Sequence, residues 1–157
     1  GKTYIDTLFE KEIPKTQEAF ARFHTYYQII EIMISTVFED KFKKFVEQLN
    51  NSVDSLFDQR DELGNMIQEK QRVKWLFSEY VSISQQEKNI LDECCRKLLQ
   101  ENGKKINTEM GDNLYSVRCL LVHSMYMLNE YSHKLLDEVN KAFLDVIMDM
   151  LLTFKIT

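Results

Sequence analysis

The sequence predicts an all-α protein, a single helical bundle of five to seven helices, and three observations carry that expectation. The 157 residues include only four Gly and one Pro, whereas a β-sandwich or barrel needs a turn signal about every 8–12 residues. Apolar side chains make up 44% of the chain and recur every three or four positions over long stretches, the period of one helix face. No linker, internal repeat or low-complexity segment divides the chain, so residues 1–157 read as one domain. A domain of this length buries roughly 70% of the surface its unfolded chain would expose, and needs no staple.

The elements follow from these patterns in order. Pro14, Thr16 and Glu18 open a helix, since Pro is tolerated in a first turn. Its stripe runs through Phe20, Phe23, Tyr27, Ile30, Ile34 and Phe38. The β-branched patch from Ile34 to Val37 is a place for it to end or bend, with Asp40 capping a continuation through Phe42, Phe45, Val46 and Leu49. Asn50, Asn51 and Ser52 mark a turn, and Val53 to Leu63 a shorter helix stopped by Gly64 and Asn65. Met66 to Tyr80 carries a further stripe, through Ile67, Val73, Leu76, Phe77 and Tyr80. Ser84 with Glu87 is a capping box, opening a helix that runs to Asn102 and ends at Gly103. Residues 104–111 are polar apart from Ile106 and Met110. Asp112 or Asn113 then caps a helix from Leu114 to Leu128, and after Asn129 to Ser132 a last helix runs from His133 to Phe154.

Charge and cysteine usage narrow the function classes. With 25 acidic and 20 basic side chains the net charge is −5, so no whole-domain basic footprint exists and nucleic acid would be met only locally. No run of uncharged apolar residues is long enough to span a membrane, and the first residues lack a signal-peptide pattern. The missing initiator Met reads as a fragment or processed part of a longer protein. Cys94, Cys95 and Cys119 are an odd set with no paired spacing, so they read as reduced thiols of a cytoplasmic protein rather than as a disulfide framework or zinc site. Gly-rich phosphate loops, H-E-x-x-H and G-x-S-x-G are absent, and no cofactor or metal is expected.

One segment stands apart. Tyr115 to Ser124 places Arg118 and His123 five positions apart, separated by apolar residues, with Leu120, Leu121 and Val122 read as core. Imidazole titrates near neutral pH, and guanidinium grips phosphate with two parallel N–H groups, so the pair suits acid–base chemistry on a phosphodiester. On a straight helix the two lie about 140° apart with about 7.5 Å of rise between them. A shared site then needs a bent Arg118 stem, an irregular first turn or a second copy across a two-fold axis. Arg118 also reads as a surface cation paired with Asp112 or Glu31. His24 and His133 read as structural or exposed, and Phe20, Phe23, Tyr26 and Tyr27 as core or dimer interface rather than a base-stacking platform. Met125, Met127, Met148 and Met150 read as gap-filling core, and Lys41, Lys43 and Lys44 as a solvated face.

Arg118-x4-His123, within Val117-Arg118-Cys119-Leu120-Leu121-Val122-His123-Ser124, resembles the R-x4–6-H motif of the HEPN superfamily, helical domains of prokaryotic toxins, antiviral defence proteins and RNA-processing factors. Phe23 to Glu31 is similar to the aromatic-rich first helix of HEPN-like defence proteins, and the order of the two segments agrees. The resemblance implies a HEPN-like bundle acting as a metal-independent endoribonuclease, with its site at a homodimer cleft. It assigns His123 as general base or acid and Arg118 as the phosphate grip, with Glu31, Cys119 and Asp112 in support. Lys104, Lys105 and Lys134 would contact RNA, and a partner protein such as an antitoxin would fit the toxin context. Cys119 stands where most active members carry Asn or another polar residue. That departure, with a thinly basic neighbourhood, motivates an alternative expectation: a catalytically degenerate dimerisation or protein-interaction module.

Overall fold

The computed structural model describes residues 13–49, 51 and 55–156. These form six α-helices and no strand: α1 Ile13–Leu49, α2 Leu56–Ile67, α3 Glu69–Trp75, α4 Gln85–Glu101, α5 Met110–Ser124 and α6 Glu130–Thr153. A π-helical turn, Leu76–Tyr80, continues α3, and a short 3₁₀ turn, Met125–Met127, follows α5. The all-α bundle expected from periodicity is what the chain forms. Asn50, Ser52 and Val53, which the sequence places around the first turn, lie outside the described residues.

Helix α1 runs unbroken through Ile34–Val37, because Ile34 and Val37 are buried and tertiary packing outweighs the weak helix propensity of β-branched residues. It lies against α6 in the same chain direction. Near its start the Asn140 side chain donates to the Ala19 carbonyl oxygen at 2.9 Å. One to two turns further on, the Phe143 ring meets Phe23 at 5.4 Å and Tyr26 edge-on at 5.8 Å. Near its end Asp40 accepts from the Tyr80 hydroxyl, and Tyr80 stacks on Phe154 beyond α6. Helix α4 packs on both α5 and α6, closing the core around Leu91, Leu98, Leu99, Leu114, Val117, Leu121 and Val139.

Several boundaries differ from the sequence reading for identifiable reasons. Gly64 keeps a helical backbone instead of the left-handed conformation of a helix stop, and α2 continues to Ile67. Gln68 breaks the Met66–Tyr80 stripe, and the wide π turn keeps Leu76, Phe77 and Tyr80 all buried. Gly103, with φ of 65°, does end α4: the Lys104 N–H bonds the Leu99 carbonyl and the Gly103 N–H the Gln100 carbonyl, a Schellman closure. Helix α5 begins at Met110, ahead of the expected cap, because the Asn113 side chain is engaged elsewhere. A Cβ at Gly111 would stand 3.2 Å from the Phe77 ring, so glycine lets α5 start close against the π turn. Only Cys95 of the three thiols is fully buried, and of Met125, Met127, Met148 and Met150, read as gap-filling core, Met150 alone is buried while Met127 and Met148 are exposed. Lys41 and Lys44 pair with Glu79 and Asp40, so that lysine run is not simply solvated.

Asp40 accepts from Lys44 at 2.8 Å and from Tyr80 at 2.6 Å, and these bonds hold its carboxyl below its ordinary value. A carboxyl depressed in the folded state adds stability that is complete above its unfolded pKa, about 3.9, and lost as pH falls through the folded value. Urea midpoints of wild type and Asp40→Asn are therefore expected to differ at neutral pH and converge in acid; a gap independent of pH would contradict this role.

Candidate functional site

Helix α5 presents its inner face, with Leu114, Val117, Leu120 and Leu121, to the core. Going round the opposite arc from Arg118 at 100° per residue, Val122, Tyr115, Cys119 and His123 follow in that order, ending about 140° away. Val122 is 51% exposed, a correction to its reading as core: it faces outward on this arc, while its neighbours Leu120 and Leu121 face inward. Arg118 and His123 thus border one solvent-facing strip instead of sharing a point.

The Arg118 edge is held by α1 and α3. Arg118 Nη2 lies 3.7 Å from Glu31 Oε1, and its Nε 3.8 Å from Glu69 Oε1. Its guanidinium carbon stands 5.9 Å from the Tyr27 ring centre. Tyr27 is buried, and its hydroxyl donates to the same Glu69 oxygen at 3.0 Å. Burial first, then the Glu69 carboxylate, pushes the Tyr27 phenol far above its usual value, so it stays a donor. Partial burial opposes the charge on Arg118, but Glu69, together with Tyr27, Cys119 and Glu31, outweighs it and raises the guanidinium pKa. Both ion-pair distances exceed hydrogen-bond reach, so charge is balanced there without committing the N–H donors. Glu31 is thus beside Arg118 as expected. Asp112 is not: it lies 3.9 Å from Lys70.

The His123 edge is different. His123 is exposed and lines an open groove of about 370 Å³ with Cys119, Tyr115, Lys70, Lys104 and Lys105. Among the described residues no acidic side chain lines this groove. Burial, then a hydrogen bond with Cys119, raises the Tyr115 phenol pKa. Lys104 and Lys105 form no ion pair among the described residues. Lys134 lies elsewhere, on α6, exposed and near Glu130 at 3.9 Å. Tyr27 and Phe23 are core, as the sequence suggested, and Tyr26 packs half-buried on Phe143.

Sequence reasoning missed Glu69, Lys70 and the structural use of Tyr27. A carboxylate in the first turn of a helix is an ordinary favourable feature, so Glu69 carried no distinguishing signal. Among the described residues no cluster of His, Cys, Asp or Glu is arranged to hold a metal, and no helix is long and apolar enough to cross a membrane. No family model, curated protein or solved structure matches the chain. Fold and site together define an all-α bundle with a lysine-lined groove beside an arginine held between two carboxylates.

Proposed function

We propose that this chain is a HEPN-type, metal-independent endoribonuclease whose complete site forms in a homodimer. The observation that carries the reading is the exposed His123 in a groove with three lysines and, among the described residues, no carboxylate, on a chain of net charge −5. His123 takes the proton of a ribose 2′-hydroxyl, whose oxygen bonds the adjacent phosphorus. The P–O5′ bond breaks, and the 5′-oxygen receives a proton from the imidazolium, leaving a 2′,3′-cyclic phosphate and a 5′-hydroxyl. Arg118, with uncommitted donors, stabilises the extra charge on the phosphoryl oxygens, supplied across the two-fold axis by the second copy. A toxin or antiviral setting in the cytoplasm, with a partner protein as restraint, rests on the resemblance of the motif.

In EDTA, the wild type is expected to cut an oligoribonucleotide, and His123→Ala to lose about 10²–10⁴ in rate. Arg118→Ala should also cut slowly while binding persists. An inert wild type, or two variants as active as it is, ends this reading. Engagement of Arg118 with Glu31 and Glu69 favours a second one, a degenerate dimerisation or interaction module. In that case no cleavage occurs, and assembly is unchanged in both variants.

A further inference from the structure

The loop between α4 and α5 is built with more care than a connection requires. At one end the Schellman closure fixes Lys104 to the last turn of α4. At the other, the fully buried Asn113 accepts from the Asn107 N–H at 2.8 Å. Its amide donates to the Asn107 carbonyl at 3.0 Å and to Asp92 Oδ1 at 2.7 Å. Arg96, paired through Nε with Asp92 Oδ2 at 2.6 Å, donates from Nη2 to the carbonyls of Asn107 and Thr108 at 2.9 and 3.2 Å. The Asn107 amide adds a bond to Ser116 on α5. A polar network gathered on a fully buried, fully paired amide favours one geometry. Here the geometry it favours is a loop whose side chains over the groove include two lysines with no ion-pair partner among the described residues.

We infer that this loop is a preformed phosphate-binding wall, which presents Lys104 and Lys105 to the backbone of a single RNA strand lying along α5, and that Asn113, Asp92 and Arg96 are its positioning residues. The inference rests on the groove being an RNA path, but not on cleavage there. Lys70 contributes less, because Asp112 stands 3.9 Å from its ammonium group. Fixing the loop backbone before the strand arrives removes the part of the ordering cost that a mobile loop would carry. Lysines that meet phosphate beside an exposed imidazole and Tyr115 suit one strand followed along its backbone.

The test uses a labelled 2′-O-methyl oligoribonucleotide, which attack by a 2′-hydroxyl cannot cut, with binding followed by anisotropy across a salt series. Lys104→Ala/Lys105→Ala is expected to bind at least about tenfold more weakly at low salt. Its log–log salt slope should be shallower by about 1.4, at about 0.7 per phosphate contact on a single strand. Arg96→Lys keeps the charge but loses the forked grip on two carbonyls. It should weaken binding several-fold with the slope unchanged, its helical content matching wild type. No measurable binding by folded wild type, or a double variant that matches it in affinity and slope, overturns the wall; an Arg96→Lys protein that binds like wild type overturns the positioning role. Lysine-dependent binding without cleavage of ordinary RNA upholds the wall and ends the nuclease reading. Cleavage with lysine-independent binding does the reverse.

Discussion

Phe143→Ala is expected to destabilise the protein by about 3–5 kcal/mol, the range for deleting a fully buried aromatic ring. Phe143 has no exposed surface and joins α6 to α1 through Phe23 and Tyr26. Removing it forfeits the apolar transfer and leaves a cavity between helices whose crossing is set by these rings. Against a total stability of about 5–15 kcal/mol for a typical domain, that is a large fraction. Urea unfolding followed by far-UV circular dichroism measures it; a loss below about 1 kcal/mol would mean that the site collapses without cost. The site is affected as well. Helix α1 carries Tyr27 and Glu31, so a slackened α1–α6 contact loosens the arrangement around Arg118.

Asn113→Ala is expected to cost about 2–4 kcal/mol, because it empties a fully buried position and leaves a half-buried donor, the Asn107 N–H, and the half-buried Asp92 carboxylate without their partners together. Asn113→Asp separates the terms. It retains an acceptor for the Asn107 N–H but sets a second carboxylate against Asp92, raising the carboxyl pKa values of the pair. Stability of Asn113→Asp should therefore improve relative to wild type as pH falls through that raised range and one proton comes to be shared. A defect that is the same at pH 5 and pH 8 would show that lost shape, not charge, accounts for it.

How much of this was legible in the sequence depends on the range of the interaction involved. The Ser84–Glu87 cap and the end of α4 at Gly103 are local, and both stand as the sequence implied. The apolar stripe of α1 names the buried Phe23, Tyr27, Ile30 and Ile34 for the same reason, while Phe20 and Phe38 at its ends are only part-buried. Where a residue was claimed by a distant partner, local reading failed. Asn113 looks like a helix cap and serves instead as a buried tie to Asp92, 21 positions away. Gly64 looks like a stop and stays helical. At the site, the 140° separation of Arg118 and His123 follows from helix geometry alone. Glu31 was anticipated beside Arg118, while Glu69, at a similar distance, was not, because only the packing of α3 on α1 and α5 brings it there.

The length of α1 has a practical consequence. At 37 residues it measures about 55 Å, against about 36 Å for the 24 residues of α6. Since Tyr80 meets Asp40 on one side and Phe154 on the other, the last two turns of α1 run past the end of α6 with α2 alongside. A dye or an affinity handle attached at that overhang stands well clear of the groove, and reports on the molecule without crowding it.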